Sequence, residues 1–333
     1  MISPFLCAAI SFLIVWFMTP WLIKYLNKIG LVVKDMNKEH TPLVPISGGL
    51  AVMAGVFAGL TCFIFFRTFL PNNSASLLLD NESLLQLFAG ITAIMIISFV
   101  GFIDDLVIKR GNERSSGLRQ WQKPLITLSA AVPLMVINAG TKVMGFPFLG
   151  EIDVGLLYPL VFIPIGVVGA ANMINMLGGF NGMETGMGII CMGMLGLYAY
   201  VNGLYMGALI ALITFAALIA FYFYNRYPAK ILPGDSLTYL LGGVLASIAI
   251  LGNMEKAALI VSIPFFIEFF LKARSKFRAQ TYGYYKGGKV QSKYKKIYSI
   301  PHFFTRTGKF TEKQISYIMI LITLVFSSLI WVI

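Results

Sequence analysis

The stretch FVGFIDDLVIKR, residues 99–110, places two adjacent carboxylates, Asp104 and Asp105, directly after a long apolar run. That run covers residues 84–103, which is about the ~20 helical residues that a bilayer crossing requires. Only 12% of the 333 residues are charged, so a pair of charges in this position stands out. The two aspartates are predicted to lie where a membrane-spanning helix meets water.

Hydrophobic residues make up 58% of the chain and the mean hydropathy is +0.80, which is typical of a polytopic membrane protein. We predict an all-α integral membrane protein with about ten transmembrane helices, in which residues 1–333 form one domain. Two short runs contain Pro133, Pro159 and Pro164 and could be kinked or re-entrant. The predicted crossings are 3–26, 46–66, 84–103, 124–138, 155–171, 186–201, 206–224, 237–251, 257–272 and 314–333.

The distribution of Lys and Arg predicts the orientation of the chain. All but three of the 26 basic residues lie in loops that follow the odd-numbered runs, and the exceptions are Arg67, Lys142 and Lys256. The positive-inside rule makes these loops cytoplasmic and leaves both termini outside. The longest, at about 273–313, is strongly basic. Because the charges are dispersed over membrane loops, they indicate topology and contact with anionic lipid rather than nucleic-acid binding.

The unusual polar segments all fall on the predicted cytoplasmic side. They are the Asp104–Asp105 pair, NMINMLGGFNGMETG at 172–186 and YPAKILPGDS at 227–236. Carboxylate and amide oxygens are hard ligands that suit magnesium and an anionic substrate. Glycines in the second segment would let backbone amides approach a ligand. Each motif alone is more often a helix cap or a turn, and the two histidines, His40 and His302, show no pattern of a catalytic triad.

Four segments in a fixed order carry a family resemblance. FVGFIDDL, GLRQWQKP, NMINMLGGFNGME and YPAKILPGDS resemble the motifs of the polyprenyl-phosphate N-acetylhexosamine-1-phosphate transferases, over residues 30–302. The resemblance implies transfer of a sugar-1-phosphate from a UDP-sugar to a lipid phosphate in the membrane, with release of UMP. It also implies a requirement for magnesium, for which manganese can substitute, and homodimers are common in the family.

Two departures from the bacterial pattern indicate a branch of the family. Bacterial cell-wall enzymes usually carry Asp-Gly-x-Asp-Gly where this chain has Gly178 to Glu184, and a run of histidines where this chain has His302 alone. This pattern resembles the eukaryotic and archaeal enzymes that use UDP-N-acetylglucosamine and dolichyl phosphate to begin N-glycan assembly, and those enzymes are expected to be inhibited by tunicamycin. The compact chain favours an archaeal cell membrane over an endoplasmic reticulum membrane. A different UDP-N-acetylhexosamine or undecaprenyl phosphate remains an open alternative.

The resemblance implies roles for the charged residues. Asp235 would coordinate magnesium with Asn175 as a neutral oxygen ligand, and Lys123 would be the counter-charge to a phosphate. One of Asp104 and Asp105 would orient or deprotonate the lipid phosphate, while the other would hold Lys123 or a metal-bound water. Their order is left open.

The substrate-binding set is implied in the same way. Asn181 and the backbone of Gly179 are expected to read uracil, and Arg278 and His302 are expected to meet the sugar phosphate. Asn172 and Glu184 complete the set.

A transporter for an anionic nucleotide-sugar or lipid is the alternative from another class. Ionisable groups inside a membrane often mark substrate paths. Here, however, the acidic residues lie at helix ends rather than at mid-depth, and residues 1–166 and 167–333 share no motif. The sequence therefore favours the enzyme.

Overall fold

The computed structural model describes residues 2–70, 80–107, 118–137, 143–146 and 150–332. The described chain is mostly helical, as predicted, and its only strands form three antiparallel hairpins. The predicted cytoplasmic cations Lys109, Arg110 and Arg114, and Lys142 on the opposite side, lie outside the described residues.

The α-helices are numbered in chain order. They are α1 (Ile2–Ile29), α2 (Gly49–Phe69), α3 (Asn81–Val107), α4 (Gln122–Thr127), α5 (Val132–Val136), α6 (Ile163–Met176), α7 (Met183–Val201), α8 (Tyr205–Asn225), α9 (Gly234–Leu251), α10 (Glu255–Val261), α11 (Ile263–Ala273), α12 (His302–Thr305) and α13 (Glu312–Ser328). Short 3₁₀ turns cover Leu128–Ala131 and Leu329–Val332, and a π-helical turn covers Tyr158–Phe162.

The strands form local hairpins rather than a sheet. They pair as β1 (Val32–Lys34) with β2 (Leu43–Pro45), β3 (Val143–Phe146) with β4 (Gly150–Asp153), and β5 (Tyr284–Lys286) with β6 (Lys289–Gln291).

Eight helical segments of the described chain are long and apolar enough to cross a membrane. The predicted crossings at 124–138 and 257–272 are each broken into short helices, so the count of ten is not confirmed. Prolines account for the breaks: Pro124 and Pro133 lie in the first stretch, and Pro264 follows the junction of α10 and α11. A proline has no N–H to continue the helical ladder and clashes with the preceding turn.

Both broken stretches nevertheless run between the two ends of the bundle. Lys123, at the start of the first, contacts Asp235 at the beginning of α9. Its last helix, α5, packs near the π-helical turn, where Tyr158 donates a hydrogen bond to Glu255 at the far end of the bundle. The second stretch starts at Glu255 and returns to the end that holds Asp235, because Lys272 lies in the same cavity.

The central helix of the bundle is α9, almost all of whose residues are buried. It packs against α2, α3, α6 and α8. Glycines in α3 and α2 allow the backbones of these helices to contact the backbone of the first turn of α9. A Cβ atom at Gly101 would lie only 2.3 Å from the carbonyl oxygen of Asp235, and one at Gly49 only 2.2 Å from the nitrogen of Leu237. Asp235 therefore starts a helix whose first turn is fixed by close contacts with α2 and α3.

Candidate active site

A cavity of about 350 Å³ lies at the end of the bundle where α9 begins. This volume is within the range of small-molecule sites. Its walls come from the β1–β2 loop, α4, the α6–α7 segment, the start of α9 and residues 272–282, which are the loops that the sequence places on one side of the membrane. The charged side chains lining it are Lys34, Asp35, Lys123, Glu184, Asp235 and Lys272.

Lys123 joins two carboxylates at the base of the cavity. Its Nζ atom lies 2.5 Å from Asp104 Oδ2 and 2.9 Å from Asp235 Oδ2. Burial would lower the pKa of Lys123, but the nearby Asp235, Tyr239 and Asp104 outweigh burial and raise that pKa above its ordinary value. Lys123 is therefore stabilised as the cation between two acidic groups.

Asp235 is the accessible carboxylate of this centre. Its side chain is 26% exposed, whereas the Asp104 side chain is 1% exposed. Asn175 Nδ2 lies 3.1 Å from Asp235 Oδ2, and the other end of that amide accepts a hydrogen bond from Thr238. The structure thus brings together four residues, Asp104, Lys123, Asn175 and Asp235, from four distant segments of the sequence.

Asp105 lies beside the cavity but does not line it. Its carboxylate is fully buried and accepts hydrogen bonds from the backbone nitrogens of Asp235 (2.7 Å) and Ser236 (3.2 Å) and from Ser47 Oγ (2.8 Å). It therefore caps the N-terminus of α9 from another helix. This position does not support the prediction that Asp105 touches substrate, because its oxygens are already used in fixing Asp235.

Asn181 has protein partners for its side chain. Its Oδ1 accepts hydrogen bonds from Lys38 Nζ (2.8 Å) and the nitrogen of Ala229 (2.9 Å), and its Nδ2 donates to Asp35 (3.0 Å). Its backbone nitrogen donates to Glu312 at the start of α13. Asn181 therefore ties the β1–β2 loop to the loop before α9 and to the last helix, rather than offering a free amide to uracil.

Gly179 is likewise engaged on both sides of its peptide. Its nitrogen donates to Glu184 Oε1 (2.7 Å) and its carbonyl accepts from Asn37 Nδ2 (2.7 Å). Its φ of +117° explains why glycine is needed here. If the Gly179 backbone hydrogen-bonded uracil, its N–H or its C=O would have to bond uracil in addition to Glu184 or Asn37.

Glu184 and Asn172 both line the cavity, as expected of substrate-binding residues. Glu184 Oε2 is buried and has no hydrogen-bond partner among the residues that the structure describes, which leaves one acceptor available. Asn172 Nδ2 donates to the carbonyl of Val168 (2.8 Å).

Arg278 and His302 lie outside the cavity lining. Arg278 is exposed, while His302 is buried behind the wall of the cavity. His302 Nε2 donates to the carbonyl of Gln280 (2.9 Å), and Nδ1 accepts from the nitrogen of Tyr298 (3.2 Å). Burial lowers the pKa of His302 to about 4, so the ring is neutral and supports the wall instead of contacting a phosphate.

Sequence reasoning missed Lys272, Gln280, Thr238 and Tyr239. The Tyr239 hydroxyl is buried without a hydrogen-bond partner in the part of the chain that the structure describes, close to Lys123 and Asp235. Thr238 and Tyr239 read as core positions of an apolar run, yet they lie three and four residues after Asp235, the spacing that places helical residues on one face. That spacing was the available signal for these two residues. Gln280 lies two residues after Arg278 in the segment KFRAQTYG, which the family resemblance links to the sugar phosphate, but only Arg278 was singled out there.

The fold and the cavity define a polytopic membrane protein with a carboxylate, amide and lysine centre at one end of its helices. Residues 87–253 match the family described as glycosyl transferase family 4. The chain belongs to this family.

Similar proteins extend the match over almost the whole chain. A Saccharolobus solfataricus protein provisionally named UDP-N-acetylglucosamine--dolichyl-phosphate N-acetylglucosaminephosphotransferase is 35% identical over 321 residues, which cover 93% of this chain and 90% of the relative. A Sulfolobus acidocaldarius protein with the same provisional name is 31% identical and covers 97% of this chain and 94% of the relative. A phospho-N-acetylmuramoyl-pentapeptide-transferase of Staphylococcus saprophyticus is 31% identical over 79% of this chain and 81% of the relative. These relatives and the apolar helices make the chain an integral membrane protein.

Proposed function

We propose that this protein transfers N-acetylglucosamine-1-phosphate from UDP-N-acetylglucosamine to dolichyl or another polyprenyl phosphate, giving the lipid diphosphate sugar and UMP. The observation that carries the proposal is the Lys123 ion pair with Asp104 and Asp235 at the base of a cavity beside the membrane-spanning helices. The names of the two archaeal relatives supply the substrates.

The charge of the centre supports a magnesium requirement. With both carboxylates ionised, Lys123 leaves Asp104 and Asp235 with a net charge of −1 before any substrate arrives. The donor diphosphate and the acceptor phosphate add several negative charges, and each like-charge pair at 4 Å costs ~4 kcal/mol at an effective dielectric of ~20. A divalent cation would offset this repulsion and polarise the diphosphate when bound.

The donor set at Asp235 fits magnesium. The described residues contain no cluster of three His, Cys, Asp or Glu side chains for a metal. Magnesium usually takes only one or two protein carboxylates and completes its shell with waters and substrate phosphates. Asp235 would supply the carboxylate and Asn175 a neutral oxygen.

Asn175 can present that oxygen while keeping a hydrogen bond with Thr238. Its Nδ2 now faces Asp235 and its Oδ1 faces Thr238. Rotation of the amide would exchange these ends, and the Thr238 hydroxyl, 3.2 Å from the carbonyl of Asp235, could donate there and accept from Nδ2. The rotation gives up the hydrogen bond that Nδ2 donates to Asp235, and the interaction with a bound cation would replace it.

Direct attack by the lipid phosphate fits the site better than an aspartyl-phosphate intermediate. Asp105 is fully buried and its carboxylate accepts hydrogen bonds from three donors, while Asp104 is buried in an ion pair with Lys123. Neither carboxylate is therefore open to form a bond to phosphorus. In the proposed step a lipid phosphate oxygen bonds to the β-phosphorus of the donor. The bond from that phosphorus to the bridging oxygen breaks, and UMP leaves with the electron pair. Because a phosphate monoester has its second pKa near ~6, the acceptor is largely ionised and needs positioning more than a base.

Lys123 and Asp104 would perform that positioning. Lys123 is placed to neutralise a phosphate oxygen, and Asp104 holds its ammonium in place from the buried side. The cavity is proposed to open to the cytoplasm, with both termini outside, because the cationic loops surround it. A homodimer, as the family resemblance implies, belongs to the same proposal.

A transfer assay on protein reconstituted into vesicles tests the function. UDP-N-acetylglucosamine, UDP-N-acetylgalactosamine and UDP-N-acetylmuramoyl-pentapeptide would be paired with dolichyl and undecaprenyl phosphate, and UMP release would be measured beside flux of the donor. We expect UMP release with UDP-N-acetylglucosamine and dolichyl phosphate at the highest kcat/KM. Flux of the donor into the vesicles without UMP release would indicate that the protein is a transporter and not a transferase.

A further inference from the structure

One wall of the cavity is formed by residues 279–282 of the irregular segment 279–283, which the buried side chains of Lys272 and Asn37 hold in place. Lys272 Nζ donates to the carbonyl of Ala279 and to Thr281 Oγ1, both at 2.8 Å. Asn37 Oδ1 accepts from the nitrogen of Gly283 (3.2 Å). A segment without helix or strand hydrogen bonds is therefore held by hydrogen bonds from other elements.

Gln280 is held most completely within this wall. Its backbone nitrogen donates to the Tyr294 hydroxyl (3.0 Å), and its carbonyl accepts from His302 Nε2 (2.9 Å). Its side-chain amide has no hydrogen-bond partner among the described residues, although Gln280 is partly buried and lines the cavity. A rigid backbone thus carries an unpaired carboxamide.

The other side-chain amides that line the cavity either hydrogen-bond to protein groups or are exposed. Asn175 and Asn181 bond through both ends of their amides. Asn172 uses its Nδ2 within α6. Gln120 is exposed at the edge of the cavity. Gln280 is therefore the partly buried carboxamide of the described cavity lining with both its donors and its acceptor available.

We propose that the Gln280 amide is a specificity determinant that hydrogen-bonds an amide or imide group of the donor. A carboxamide supplies one acceptor and two donors in one plane, so it matches the cis N–H and C=O of the uracil imide at two points and can donate to the carbonyl of the trans sugar acetamido group at one point. This inference rests on the proposed function, because both groups belong to UDP-N-acetylglucosamine. Fixing the backbone beforehand lowers the entropy cost of forming the pair.

Ligand binding separates the two sources. Calorimetry on the full-length protein with magnesium would measure four ligands: UDP-N-acetylglucosamine, UDP-glucose, UMP and CMP. UDP-glucose lacks the acetamido group, and cytosine lacks the N3–H of uracil. Gln280→Ala is the test variant, Gln280→Glu keeps the size but loses the donor, and Gln120→Ala is the matched control from the same cavity.

The wild type and Gln120→Ala should prefer UDP-N-acetylglucosamine over UDP-glucose, or UMP over CMP, by roughly tenfold or more. In Gln280→Ala and Gln280→Glu, one of these ratios should fall to within about twofold of unity. Loss of the sugar ratio assigns the amide to the acetamido group, and loss of the base ratio assigns it to uracil. Both ratios unchanged in the two variants would overturn the inference. Discriminating binding without transfer to lipid phosphate would instead overturn the proposed function and leave the role of Gln280 standing.

Discussion

Three aspartates meet at the start of α9, and their surroundings differ. Asp235 is partly exposed beside Asn175, and Asp104 is buried against Lys123. Asp105 accepts hydrogen bonds from the first backbone nitrogens of α9 and so caps this helix. The account therefore gives them a metal role, an acceptor-positioning role and a helix-positioning role.

Replacing Asp235 or Asp104 should separate the first two roles. Asp235→Asn removes a charge from the proposed metal shell, so the half-saturating magnesium concentration should rise by about an order of magnitude or more. Asp104→Asn should lower turnover by roughly 10²–10⁴-fold, while donor binding measured by calorimetry with magnesium stays within a few-fold of wild type. Loss of magnesium-dependent donor binding in Asp104→Asn alone would invert the two assignments.

His302 should make the cavity wall sensitive to acid. Its folded pKa of about 4 lies below the ordinary value of 6.5 because the ring is buried. Between these values the unfolded chain binds the proton and the folded chain does not, so the stabilisation is complete above pH 6.5 and is lost as the pH falls towards 4. The thermal unfolding midpoint of detergent-solubilised wild type should therefore drop more between pH 7 and pH 4.5 than that of His302→Gln. Equal drops would contradict the buried, neutral ring.

For single residues, the sequence predicts which side chains lie close together in the site more accurately than it predicts the role of each side chain. Asp104, Lys123, Asn175 and Asp235 meet as expected, since their segments lie on one predicted side of the membrane and the family resemblance assigns them to one site. The cap formed by Asp105 depends on backbone nitrogens 130 residues away, and no spacing in the sequence encodes it. The same holds for Asn181, whose partners come from the first loop, the loop before α9 and α13.

At the scale of elements, the approach of α3 to α9 sets the position of Asp235. Gly101→Ala would place a Cβ atom 2.3 Å from the carbonyl oxygen of Asp235, so α9 or α3 must move. We expect a loss of about 1–3 kcal/mol of stability and reduced activity. Thermal unfolding and the transfer assay measure the two effects.

Gly166→Ala is the matched control, because a Cβ atom there meets nothing within 4 Å. It lies in α6 and should be neutral or slightly stabilising, since alanine favours the helix over glycine. Equal effects of the two substitutions would show that the α3–α9 contact does not position the site.

Apolar runs predicted the extent of most elements but not the continuity of each helix. The runs at 124–138 and 257–272 have the composition of crossings but fold as successive short helices. Pro133, a position at which the sequence allows a kink, lies in the first stretch and Pro264 in the second, whereas Pro20 lies inside the unbroken helix α1. A proline therefore marks a candidate break, and composition does not distinguish a proline that breaks a helix from one that does not.

At the scale of the whole molecule, the orientation in the membrane follows from charge. Single cysteines replacing Glu39 and Lys286, in a variant without the native Cys7, Cys62 and Cys191, should be labelled only from the cytoplasm. A cysteine replacing Asn202 should be labelled only from outside. All three positions are exposed. Labelling of Glu39→Cys and Lys286→Cys from opposite sides would contradict a single cytoplasmic face.

The central claim is that a phosphate travels with the sugar from a nucleotide to a membrane lipid. UDP-N-acetylglucosamine labelled with ³²P at its β-phosphate, incubated with magnesium, dolichyl phosphate and the reconstituted protein, tests it most directly. The account predicts that the label enters the lipid as a diphosphate while unlabelled UMP appears in equal amount, and that chelation of magnesium stops both. Label that remains in UDP, or lipid that gains sugar without ³²P, would contradict the account.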